Sequence, residues 1–291
     1  MRTSPSELLI RQRFAALRRS LPAAAQGNAE RLHQARVATR RLRETLPLVA
    51  SGKRERKLER RVRRLTRALG PVRELDVALG ILDDLEGTAD APRGAIARLR
   101  RAIADERERL HAGMRERIAQ CDLRKLEKRA INASQGGTRK AIARPEQAEA
   151  ARRGAARRAA RLRDAIDTAA GLYLPDRLHD VRIAVKKLRY ALEISGTVAG
   201  THGRARLRAL KQAQDLLGRM HDLEVLIARI RGIQGSASAP PLKVSADLDR
   251  LVRRLENECR QLHGHYSALR KPLLAICRQV RAAAPRGRAA A

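Results

Sequence analysis

The chain has 291 residues, of which 64 are Lys or Arg and 31 are Asp or Glu, giving a formal net charge of +33. Hydrophobic residues make up 43%, too many for a disordered basic tail, and aromatics only 1%, which disfavours a reader of single-stranded RNA that stacks bases on rings. No stretch approaches the roughly 18 consecutive apolar residues of a membrane span.

Such a length suits one large or two ordinary domains at about 150 residues each. Nearly every segment reads as helix, because Ala, Leu, Arg and Glu dominate and favour it. Met1 to Leu21 carries Glu7 and scattered Arg, unlike a secretory signal. A first breaker falls at Leu21-Pro22. Residues 32–46 then read LHQARVATRRLRETL. Beyond Ser51-Gly52, apolar residues recur at helical spacing as Leu58, Val62, Leu65 and Leu69. After Gly70-Pro71 the same spacing continues through Val72, Leu75, Leu79 and Leu82. Past the break from Gly87 to Pro92 it resumes as Ile96, Leu99, Ile103 and Leu110.

A join is expected from Gln135 to Pro145. Residues 178–192, LHDVRIAVKKLRYAL, follow the break at Gly171 to Pro175 and match the earlier block at seven of fifteen positions. Further breaks fall from Gly196 to Gly203, at Gly218 and from Gly235 to Pro241. LGPVRELDV at 69–77 aligns with LGRMHDLEV at 217–225. The two pairs of blocks lie 146 and 148 positions apart, in the same order. That is the signature of a duplicated unit, with halves at 1–140 and 141–285 and a frayed tail at 286–291.

The histidine blocks carry the chemistry. At about 100° per residue, with His33 at zero, Arg36 falls near −60°, Arg40 near −20° and Arg43 near −80°. Leu32, Ala35, Leu42 and Leu46 form an opposite core stripe. The helix therefore buries Leu and Ala and presents a ladder of His and Arg about 15 Å long. The second block repeats the ladder with His179, Arg182, Lys186 and Arg189. Tyr190 lies on its edge and Glu193 inside it. Arg offers planar, bidentate donors that match phosphate oxygens, Lys a mobile charge, and His a donor from either ring nitrogen. Like charges crowded on one arc repel, and an anion relieves that repulsion. Glu74, Asp76, Asp222 and Glu224 read as ion-pair partners that hold the Arg side chains. Basic residues before the LG turns, among them Arg64 and Lys211, extend the anion surface. Arg outnumbers Lys by 54 to 10, a bias that a GC-rich gene also produces. Yet +33 is a large self-repulsion for a compact chain, and a polyanionic partner is the economical explanation.

The four blocks LHQARVATRRLR, LGPVRELDVAL, LHDVRIAVKKLRYALE and LGRMHDLEVL together resemble the CHAD family, the conserved histidine α-helical domain. The resemblance covers essentially the whole chain. It implies an all-α fold of two four-helix bundles related by a pseudo-twofold axis. It also implies binding of inorganic polyphosphate in a basic channel or groove between the halves, and association with polyphosphate granules. The anion-binding face it implies is His33, Arg36, Arg40, Arg41 and Arg43, with His179, Arg182, Lys186, Lys187, Arg189 and Tyr190. Glu44 stands where the second half has Tyr190. Some relatives carry a triphosphate-hydrolysing β-tunnel domain marked by ExExK. Here the nearest string, Glu106 to Leu110, lacks the Lys and sits in a helical pattern.

Rival readings are a basic helical nucleic-acid binder and a polyphosphate-metabolising enzyme. Neither a P-loop nor HExxH occurs. Cys259, His263 and His265 make a weak metal cluster, better read as a surface His pair beside a buried Cys. His111, His202 and His221 show no partners. Cys121, Cys259 and Cys277 are odd in number and lack CxxC spacing, which argues against a disulfide framework or a zinc site. The expectation is a cytoplasmic, non-enzymatic polyphosphate binder without cofactor, metal or membrane contact.

Overall fold

The computed structural model describes residues 5–49, 53–88, 91–135, 144–199, 203–236 and 240–284. The expected break at Ser51-Gly52, most of the join at Gln135 to Pro145, His202 and the tail from 286 lie outside them. Ten helices account for the described chain: α1 (Pro5–Ala25), α2 (Ala29–Val49), α3 (Lys53–Ala68), α4 (Gly70–Glu86), α5 (Arg93–Ala119), α6 (Leu123–Gln135), α7 (Arg144–Ala169), α8 (Pro175–Ala199), α9 (Arg204–Gln234) and α10 (Leu242–Ala282). The fold is all-α, as the composition and spacing predict.

Local chemistry sets several boundaries. Asn28 and Asp122 accept the backbone N–H of Arg31 and Lys125 on their side chains, capping α2 and α6. Gly27, at φ +92°, makes the turn between α1 and α2. Pro71 divides α3 from α4, since it has no N–H to continue the ladder. Two expected breaks do not occur. Pro22 lies inside the last turn of α1, and Gly218 lies inside α9. A Pro in the last turn removes one hydrogen bond, and a lone Gly costs only about 1 kcal/mol, so packing overrides both.

The buried residues form three clusters. One joins α1, α2, α3, α6 and the C-terminal part of α5 around Phe14, Leu42 and Val62. Its counterpart joins α7, α8, the first half of α9 and the second half of α10 around Leu162, Leu188 and Tyr266. The third lies between them, where α4 and the start of α5 meet the end of α9 and the start of α10. The long helices α9, of 31 residues, and α10, of 41, each serve two clusters. This arrangement ties α4 and α5 to α9 and α10 through a shared apolar core, and α2 packs directly against α8. The predicted stripe of Leu32, Ala35, Leu42 and Leu46 is fully buried, which turns the ladder face of α2 away from the core. Leu110, expected in the α5 stripe, is exposed.

Candidate anion-binding site

The two histidine helices bring their ladders to one place. From α2 come His33, Arg36 and Arg40; from α8 come His179, Arg182 and Lys186. Arg40 acts electrostatically on Arg36 of its own helix and on both Arg182 and Lys186 of the other. Arg36 likewise acts on Lys186, and Arg182 acts on Arg36. The ladders are thus one cluster.

The helices that carry the LG blocks complete it. Arg73 on α4 faces His33, and His221 on α9 faces His179, with ring centroids 4.8 Å apart and an Nδ1–Nδ1 distance of 3.4 Å. Arg73 and His221 occupy the same place in the two LG blocks. The carboxylates match in the same way: Glu74 acts on Arg36, and Asp222 acts on Arg182. Arg36 also donates to the Gly70 carbonyl at 2.7 Å. A Cβ at Gly70 would sit 3.1 Å from that guanidinium, so the glycine permits the approach.

Charge is crowded here beyond what the carboxylates neutralise. Lys186 is only 8% exposed. Burial first, then Arg40, Arg182 and Arg36, push its pKa down to about 6, with Asp222 opposing. Burial and Arg40 push Arg36 down to about 10. Burial, then Arg182, His179 and Lys186, push His221 down to about 4. His33 and His179 are lowered by burial and by neighbouring Arg as well. Burial raises Asp222 despite Arg182 and Arg73. The inner Nε of Arg182 is buried without a partner. A cluster with these properties can accept an anion whose oxygens replace lost water and restore the charge on Lys186.

Other predicted residues lie elsewhere. Arg41 lines a groove between α1 and α2, and Arg43 is half-buried. Both have a buried Nε without a partner. Lys187 is exposed. Arg189 donates to Glu193 at 2.6 Å and Gln214 at 3.0 Å and lies 4.8 Å from the Tyr190 ring centroid. Tyr190 itself is 3% exposed and belongs to the buried residues. Lys211 pairs with Asp215 on the surface at 2.5 Å. Arg64 lines a separate groove with Arg61, Arg67, Arg117 and Lys125.

The remaining carboxylates do different work. Asp76 is buried and binds Arg107 at 2.6 Å; Arg107 also donates to the Gly27 carbonyl at 2.8 Å. Glu224 accepts from the Tyr173 hydroxyl at 2.9 Å. His263 packs edge-on to Tyr173, half-buried rather than on the surface, and His265 is exposed. Among the described residues no group of three or more His, Cys, Asp or Glu is placed to hold a metal ion.

The family model of the CHAD domain matches residues 8–231. The chain belongs to the CHAD domain family. The matched segment includes both histidine helices and both LG blocks and leaves out α10, although α10 packs into two of the three apolar clusters. Among solved structures, PptA from Streptomyces chartreusis is similar with a TM-score of 0.63 and 18% identity, covering 94% of this chain and 98% of that one. The CHAD domain from the plant Ricinus communis is similar with a TM-score of 0.58 and 22% identity, covering 97% of this chain and 92% of that one. At these identities the likeness concerns the fold, and it extends over α10. No curated protein matches the chain. No helix among the described residues is long and apolar enough to cross a membrane.

Proposed function

We propose that this CHAD protein binds inorganic polyphosphate across the facing ladders of α2 and α8, without turning it over. The observation that carries the reading is Lys186: a buried amine crowded by Arg36, Arg40 and Arg182, with Asp222 as its nearby counter-charge. A solvated basic face has no such residue. Family membership supports the same reading, since CHAD domains are linked to polyphosphate binding in general.

The ligand chemistry follows from the cluster. Guanidinium forks and imidazoles from two helices suit successive phosphate oxygens along a linear chain. None of the four Phe and Tyr residues of the chain belongs to the cluster, and the rings it does hold, the imidazoles of His33, His179 and His221, are themselves N–H donors to phosphate oxygens. Matched contacts at aligned positions (His33 with Arg73, His179 with His221) support two repeats of one unit, in which α3 with α4 stands for α9 and α5 with α6 for α10. In the cell the binding would place the protein, cytoplasmic in this reading, on polyphosphate granules.

The test is incubation of the protein with long-chain polyphosphate, followed by size-exclusion chromatography and by assay of released orthophosphate. Co-elution with no release over hours is the expected result. Release above the buffer control would make it an enzyme, and failure to co-elute would remove the proposed ligand.

A further inference from the structure

One groove adjoins the cluster and a second adjoins that groove. The first, of about 300 Å³, runs between α1 and α2 and is lined by Arg13, Arg19, Arg31, His33 and Arg41. His33 makes it continuous with the ladder face. The second, of about 360 Å³, lies beside the contact of α1 with α8; Arg13, Arg152, Glu193 and Arg206 stand around an apolar floor that includes Leu192, Leu207 and Val280. Arg13 forms part of the wall of both.

We propose that the anion surface continues past the α2/α8 contact over α1, so that a long phosphate chain passes Arg13 and ends against Arg152 and Arg206. The proposal rests on the polyphosphate reading and extends it from a site to a path.

Charge along the path is only partly compensated, by Glu193 acting on Arg13. None of Arg13, Arg19, Arg31, Arg41, Arg152 and Arg206 makes an ion pair with a described residue. The single carboxylate on the lining, Glu193, is held by Arg189 at 2.6 Å. In the groove between α1 and α6, Arg18 is paired with Glu127 and Arg11 with Glu7.

Arg13 and Arg41 are also anchored rather than freely solvated. Both are half-buried, and the Nε of each is buried without a partner. The buried stems hold the two guanidinium groups side by side, so an anion that engages their outer nitrogens relieves the repulsion between them. Burial, then Arg41, lowers the pKa of Arg13. No Phe, Tyr or Trp lines either groove among the described residues, and the ring that is present is the His33 imidazole.

The experiment compares two probes, inorganic tripolyphosphate and long-chain polyphosphate, by titration near physiological salt. Arg152→Glu/Arg206→Glu reverses charge at the far end of the path. Arg13→Gln removes the charge at its middle while keeping amide donors. The control, Arg64→Glu/Arg117→Glu, makes the same charge change at exposed residues of the groove between α3 and α5. Because a second contact raises the affinity of a ligand long enough to reach it, the path variants should bind the long chain about tenfold more weakly and tripolyphosphate within about twofold of wild type. Long-chain affinity equal to wild type, or a loss no greater than in the control, would overturn the path. Arg36→Glu/Arg182→Glu separates the two levels. It should lose both probes. If it loses neither, the polyphosphate site itself is wrong and the path falls with it.

Discussion

Replacing Lys186 by Met should have opposite effects on stability and on binding. The ordinary pKa of 10.5 falls to about 6 in the free protein. Burial is the largest cause, followed by Arg40 on α2, Arg182 on α8 and Arg36 on α2; Asp222 on α9 opposes them, and His221 on α9 also lies within the field of Lys186. At pH 7 only about one free molecule in ten carries the charge, and protonating the amine there costs about 1.4 kcal/mol. Phosphate oxygens raise that pKa, so binding takes up nearly one proton at Lys186. The sign follows by linkage: affinity is full below the free pKa and falls, by up to about tenfold per pH unit, between about 6 and the bound pKa. The same depressed pKa makes the free fold lose stability as pH drops from 10.5 towards 6. Lys186→Met removes both dependences, and by analogy with other buried charges it should stabilise the free protein by about 1–4 kcal/mol at pH 7. Calorimetric titration of long-chain polyphosphate in buffers of different ionisation enthalpy measures the proton uptake. The difference between wild type and variant isolates Lys186 from the histidines. Equal uptake by the two proteins, or a variant less stable than wild type at pH 7, would refute the reasoning.

Three further outcomes are expected. Arg36→Glu/Arg182→Glu should weaken polyphosphate binding at least tenfold more than Arg157→Glu/Arg161→Glu, which makes the same charge change on the exposed face of α7; equal losses in a filter-binding titration would mean diffuse charge. Asp76→Asn leaves Arg107 without its buried partner and should cost about 3 kcal/mol in urea unfolding, with polyphosphate affinity little changed. Gly27→Ala forces a side chain into φ +92° and should cost about 1–2 kcal/mol by the same assay, which a mis-assigned turn would not show.

Much of this architecture is legible in the residues. Helical spacing of Leu58, Val62 and Leu65 and the stripe of Leu32, Ala35, Leu42 and Leu46 predict which faces are buried, because burial follows the 3.6-residue period. The repeat identifies both ladders, and helix geometry alone puts His33, Arg36 and Arg40 on one arc. What a helical wheel cannot supply is depth and neighbours. Lys186 sits on the charged arc yet is buried, because α2 lies over it, and Tyr190, on the edge of the arc, faces inward. Arg189 has the ladder's phase but is held by Gln214 and Glu193. Arg73 and His221 join the cluster from other helices; their shared place in the LG blocks was the available signal. Arg13 gives no signal in sequence, since only the packing of α1 against α2 and α8 sets it beside Arg41. Pro22 and Gly218 mislead for the converse reason: tertiary packing carries a helix through a weak local breaker.

The most direct measurement is a competition titration near physiological salt. Labelled long-chain polyphosphate is bound to the wild-type protein and to Arg36→Glu/Arg182→Glu, then challenged with duplex DNA, RNA and unlabelled polyphosphate at equal phosphate concentration. The account predicts displacement by polyphosphate alone and loss of binding in the variant. Equal displacement by DNA or RNA, with the variant still binding, would contradict it and leave a generic binder of polyanions.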